Sequence, residues 1–121
     1  MKDELELAAG VRAALVGAGD IREVRMFGGI GFMLNGNMVA AASHRGLLLR
    51  VGKEHHGQVL AQAGARPMVM RGRTMEGYVY VDPPALSKQS VRRWLRPAIA
   101  HVQTLPPKAK GKPKQRKEKK K

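Results

Sequence analysis

The side chains whose types and spacing invite a chemical reading are four histidines, a Ser43-His44 pair, the segment Gly28-Gly29-Ile30-Gly31 and a set of lysines and arginines near the C-terminus. Imidazole nitrogens ligate metals, but His55 and His56 are neighbours on an expected helix and point about 100° apart, so they do not easily share one ion. His44 and His101 stand alone, the chain has no cysteine, and no His-x-x-x-His spacing occurs, so surface histidines are expected and no metal. Ser43 beside His44 is a poor nucleophile–base pair, because sequence neighbours in a turn rarely align for proton transfer and no carboxylate is placed to orient the imidazole. No catalytic residue and no cofactor are expected.

Glycine-rich segments can cradle phosphate with backbone N–H groups, and the alternative function for this chain is an enzyme or small-ligand binder that uses Gly28 to Gly31 for a phosphate-containing molecule. Nucleotide-binding glycine loops, however, place the anion at a helix N-terminus, and here the apolar run Phe32-Met33-Leu34 continues as a strand. The favoured reading is structural: these glycines permit a bulge or a close approach of backbones.

Basic residues make the stronger case. The formal charge is +14, and residues 106–121 carry +8 of it, with nine Lys or Arg against Glu118 alone. Lys88, Arg92, Arg93 and Arg96 fall off the apolar stripe of the last helix; Lys108, Lys110, Lys112, Lys114, Arg116, Lys117, Lys119, Lys120 and Lys121 form an arm. Together they predict non-specific nucleic-acid binding driven by counterion release, with a log–log salt slope of about −8 if all nine arm cations meet phosphates of duplex DNA. A solvated arm that only improves solubility is the plain alternative.

These groups must be positioned by a body of about a hundred residues, enough for one modest core. Acids near the N-terminus suit the first turn of a helix over residues 3–16, with Leu5, Ala8, Ala9, Arg12, Leu15 and Val16 at helical spacing. The run 24–34 predicts a strand, and Asn35-Gly36 a type I′ turn into a second strand at 38–43, because both central residues of that turn need positive φ. A third strand spans 46–51, and a short helix 54–63 ends at Gly64 and Pro67. A second hairpin, 68–70 with 75–81, turns at Arg71-Gly72-Arg73 and puts Val79 and Val81 on one face, Tyr78 and Tyr80 on the other. Ser87 is a fitting N-cap for a last helix carrying Val91, Trp94, Leu95, Ala98, Val102 and Leu105 as its apolar stripe, kinked or broken at Pro97.

The order α-β(3)-α-β(2)-α predicts a two-layer α+β fold with a five-stranded antiparallel sheet. Met26, Met33, Met38, Met68, Met70 and Met75 fall on its strands, where core filling is the ordinary role and an adaptable partner-binding surface the alternative. Tyr78 and Tyr80 are expected to pack across strands rather than stack on bases. The domain is expected over residues 1–105 and a disordered Lys-rich tail over 106–121, since the tail has no large apolar side chain to bury. With acids at the N-terminus and no apolar run near the ~20 residues of a spanning helix, a cytoplasmic protein without membrane contact is expected.

The run Arg25-Met26-Phe27-Gly28-Gly29-Ile30-Gly31-Phe32, then Asn35-Gly36-Asn37-Met38 and Leu47-Leu48-Leu49-Arg50-Val51, resembles the N-terminal domain of the TfoX/Sxy proteins. The segments 64–68 and 72–81 and the Trp94-containing helix extend the resemblance over roughly residues 3–105. The resemblance implies the same α-β(3)-α-β(2)-α order in a secretion-chaperone-like fold, with Arg25, Met26, Phe27, Gly28, Gly29, Gly31, Asn35 and Gly36 as a structural motif. It also implies a bacterial family that regulates competence genes as transcriptional co-activators; the function expected of this chain is that of a small non-enzymatic module that binds a protein partner in transcriptional regulation. Full-length members carry a second, helical domain, whereas this chain passes into lysines; a stand-alone N-terminal domain is the expectation. No catalytic residues are carried over from the family.

Overall fold

The computed structural model describes residues 4–26 and 28–108. Phe27 and the tail from residue 109 onward lie outside the described residues. The elements run α1 (Glu4–Ala14), β1 (Ile21–Met26), β2 (Gly29–Leu34), β3 (Asn37–Ser43), β4 (Gly46–Arg50), α2 (Gly52–Leu60), β5 (Ala65–Met70), β6 (Arg73–Val81) and α3 (Lys88–Gln103). The strands make one antiparallel sheet in the order β1-β2-β3-β4-β6-β5, with helices packed on one side, so the chain is a two-layer α+β domain.

The sheet has six strands, not five. The stretch expected as one strand from 24 to 34 is two, paired in register from Ile21–Leu34 to Met26–Gly29, with the chain reversing between those last two residues. Gly28 takes φ 75°, a left-handed conformation that favours glycine at a tight turn. Apolar residues on both sides of that turn hide it from a periodicity reading, and Ile21 to Arg25, largely exposed on an edge strand, lack the apolar signature of a strand.

The Asn35-Gly36 turn has φ of 54° and 84°, as a type I′ turn needs, and Arg71-Gly72 repeats it with 54° and 77°. Two irregularities shape the sheet. Val39 is an extra residue where β2 meets β3, and it lies fully buried beside Ala40. Between the pairs Pro67–Val79 and Val69–Thr74, β5 has only Met68 while β6 has Met75, Glu76, Gly77 and Tyr78. Pro67 is tolerated because β5 is an edge strand.

The core lies between the sheet and the helices: Phe32, Leu34, Val39, Leu47, Leu49, Val79 and Val81 face Leu7, Val11 and Leu15 of the α1 region and Val91, Trp94, Leu95, Ala98 and Val102 of α3. The stripe of α1 is rotated from the expected phase: Leu7, Ala8 and Val11 are buried, whereas Leu5 and Val16 are 70% and 81% exposed. Leu7, Val11 and Leu15 follow an i, i+4, i+8 spacing that points at the sheet, and Leu5 and Val16 fall outside it. α3 starts with a reciprocal cap, Ser87 Oγ accepting from the Ser90 N–H and Ser90 Oγ from the Ser87 N–H. It continues through Pro97 as one helix to Gln103, so the expected break does not occur.

Beyond α3 the chain turns back on the sheet. Asn37, 4% exposed, donates through Nδ2 to the Pro106 carbonyl at 3.0 Å, and the Lys108 N–H donates to the Asn35 carbonyl at 2.9 Å. Residues 106–108 thus rest against the β2–β3 turn.

Candidate functional site

None of the six strand methionines belongs to the core. The expected core-filling role is therefore overturned, because the helices cover only the face that carries Phe32, Leu47, Leu49, Val79 and Val81. Alternation along the strands sends Met26, Met33, Met38, Leu48, Tyr78 and Tyr80 to the other face, which no helix of the described residues covers; Leu48 at its centre is 7% exposed and these methionines and tyrosines are half-buried.

A cavity of about 510 Å³ opens on that face. Ala41 and Leu48 line it at the centre of the sheet, with Tyr78 and Tyr80 beside them on β6. Met26, Gly29 and Met38 contribute from β1, β2 and β3. From the opposite end come Met68, Val69 and Met70 of β5 and Met75 of β6, where the unequal strand lengths re-aim the β5–β6 hairpin. Arg45, from the β3–β4 turn, and Arg71, from the β5–β6 turn, also line it; among the described residues no carboxylate does. The guanidinium of Arg66 lies 4.9 Å from the centre of the Tyr80 ring and is held by Asp82, so Tyr80 already has a cationic neighbour.

The cations expected on the last helix lie on the other side of the molecule. Lys88, Arg92, Arg93 and Arg96 are all exposed on the outer side of α3. Arg93 donates through Nη1 to Gln62 Oε1 at 3.0 Å and sits over the Trp94 ring, while no salt bridge among the described residues engages Lys88, Arg92 or Arg96. Lys108 is exposed beside the β2–β3 turn. Lys110, Lys112, Lys114, Arg116, Lys117, Lys119, Lys120 and Lys121 lie outside the described residues.

Within the glycine segment, Gly29 stands where two strands approach closely. A Cβ on Gly29 would overlap the Ala42 carbonyl oxygen, so only glycine lets β2 and β3 approach there. Gly31 sits on the ladder between Val24 and Ala41, its backbone engaged by neighbouring strands rather than free for an anion.

A family model for the TfoX N-terminal domain matches residues 13–102. The chain belongs to the TfoX N-terminal domain family. No curated protein and no solved structure gives a significant match. The family match runs from the last turn of α1 to the last turn of α3, and so contains every strand and the whole cavity lining. Of the TfoX motif, Arg25 is exposed on β1 opposite Ile30, Met26 and Gly29 line the cavity, and Asn35-Gly36 makes the turn on which Lys108 rests.

The remaining groups are dispersed. His101 Nδ1 lies 2.9 Å from Glu54 Oε2, joining α3 to α2, and His55 Nδ1 lies 3.0 Å from the Val51 carbonyl. The Glu54 carboxylate is held below its ordinary pKa by its own main-chain N–H and then by His101. Ser43 Oγ accepts from the Arg45 N–H at 3.3 Å, a turn contact. Among the described residues no group of three His, Cys, Asp or Glu side chains could hold a metal ion. No helix among them is long and apolar enough to cross a membrane.

Proposed function

We propose that this TfoX N-terminal domain is a small, non-enzymatic regulatory module of the cytoplasm, probing nucleic acid with one side and a protein partner with the other, in the service of transcription. The observation that carries this reading is the segregation of two unlike faces. Lys88, Arg92 and Arg96 project from the outer side of α3 without an ion pair among the described residues, and the apolar, methionine-rich cavity opens on the far side of the sheet. A cationic helix face attracts phosphates by counterion release and reads no base edges, so its contribution is affinity without sequence preference. The lysines beyond residue 108 add to that attraction by charge alone.

Salt titration of duplex-DNA binding tests the reading. Replacing Lys88, Arg92 and Arg96 by Gln lowers the magnitude of the log–log slope by about 0.9 for each phosphate no longer engaged, and removal of residues 109–121 lowers it further. An unchanged slope in the helix variant would remove α3 from the interface.

A further inference from the structure

We infer that the open face of the sheet is a groove for an amphipathic α-helix of acidic character, presented by a protein partner. The inference deepens the proposal that this face takes a protein, and it names the chemistry of that protein.

Extent argues first. Apolar surface does not stop at the cavity mouth: Val24 on β1 is 45% exposed, and Val69 and Met70 on β5 are 57% and 43% exposed. β1 and β5 are the two edges of the sheet, so the apolar strip runs across six strands, about 24 Å at the usual strand spacing. A small ligand would fill the cavity and leave that strip bare. A helix, about 10 Å across with its side chains, can lie along that strip and reach beyond the cavity at both ends.

Backbone chemistry selects a helix over an extended segment. An extended chain laid over Leu48, Ala41 and the methionines has no sheet edge beside it, so its N–H and C=O groups would be buried without partners. A helix satisfies its own backbone and offers side chains at i, i+3, i+4 and i+7 to the groove. Methionines suit such a guest because unbranched thioethers repack around Leu, Ile or Phe at small cost.

Charge selects the acidic character. Arg45 and Arg71 line the cavity, Arg50 pairs across strands with Tyr78 and Arg22 with Met33 on the same face, and no salt bridge among the described residues engages these four. A second copy would set these arginines against their counterparts, and the chain's own lysine-rich tail carries the same sign. A helix with Glu or Asp flanking its apolar stripe matches both the centre and the rim.

Fluorescence anisotropy with three labelled 18-residue synthetic helices tests this: one with Leu at the stripe and Glu elsewhere, one with Leu and Lys, one with Ser at the stripe and Glu elsewhere. The Leu/Glu helix alone is expected to bind. The Arg45→Gln, Arg71→Gln double variant weakens it roughly tenfold, and Met38→Glu or the milder Ala41→Gln abolishes binding while circular dichroism and Tm report a folded protein. Equal binding of the Leu/Lys helix overturns the inference. So does failure of the Leu/Glu helix to bind at the highest soluble protein concentration, or a dimer of the protein alone that Met38→Glu dissolves. Replacing Lys88, Arg92 and Arg96 by Gln is expected to leave helix binding intact. If that variant keeps its DNA affinity while helix binding holds, the nucleic-acid reading fails alone; if helix binding is absent while DNA affinity depends on α3, only the present inference fails.

Discussion

Gly29 and Ala42 lie so close across β2 and β3 that a methyl group on the glycine would overlap the alanine carbonyl oxygen. The neighbour is backbone in a paired strand and cannot swing aside. Gly29→Ala is therefore expected to destabilise the domain by about 1–3 kcal/mol, as overpacking does. Gly28→Ala has open space around it and bears only the left-handed φ, costing about 1 kcal/mol. Urea unfolding of the two variants checks the order; a harmless Gly29→Ala would contradict the close approach.

The two faces of the sheet should respond oppositely to truncation. Phe32 is fully buried beneath the helices, so Phe32→Ala is expected to cost about 3–5 kcal/mol. Met38 is half-buried on the open face, so Met38→Ala should cost about 1 kcal/mol or less. Similar losses for both, measured as shifts in the denaturation midpoint, would mean that the methionine face is covered.

Asn37 is the buried polar side chain that holds the chain beyond α3. Asn37→Ala removes the donor to Pro106, whose exposed carbonyl can then turn to water, a loss of about 0.5–1.5 kcal/mol. Hydrogen exchange should show faster exchange at the Lys108 amide in the same variant, because its bond to Asn35 is formed by the same returning segment. Unchanged protection at residue 108 would separate the two contacts.

Two exposed carboxylates are expected to contribute to the response to acid. Glu23 is held below its ordinary range by the side-chain hydrogen bonds from Arg12, and Glu54 by its own main-chain N–H and then His101. Their folded pKa values lie below the unfolded ones, so their contribution to stability is present above the ordinary carboxylate value of 4.5 and is lost as pH falls through the lowered values. Stability measured from pH 7 down to pH 3 should decline less steeply in the Glu23→Gln, Glu54→Gln variant than in the parent. Parallel curves would show that neither carboxylate is linked to folding.

Local chemistry was legible in the chain where few residues decide the outcome. Asn35-Gly36 reads as a type I′ turn because no other short pair so readily takes positive φ twice, and Ser87 reads as a cap because a hydroxyl ahead of an apolar stripe has one obvious use. The stripe Val91, Trp94, Leu95, Ala98 and Val102 is buried throughout, as its period requires. The reversal between Met26 and Gly29 was not legible, since apolar neighbours on both sides make two strands look like one. Nor was the face taken by the methionines. Period 2 separates Met33 from Phe32 and Leu34, but which of the two faces the helices cover depends on contacts between α1, α3 and distant strands, and those leave no local signal. The cavity follows from that choice and from the β6 bulge, so Arg45 and Arg71 could not be joined to one site by spacing alone.

Met75, Glu76, Gly77 and Tyr78 stand on β6 opposite the single Met68 on β5. Deleting three of those four would even the β5–β6 ladder, but it would remove at least one of Gly77 and Tyr78, which respectively accept the Val51 N–H and pair with Arg50 on the other side of β6. Such a shortened protein is expected to lose the Met75 and Tyr78 side of the cavity and to gain no stability. The concavity of this domain is thus written as a length mismatch between two neighbouring strands, and natural change in the number of residues there would retune its capacity for guests without touching the hydrophobic interior.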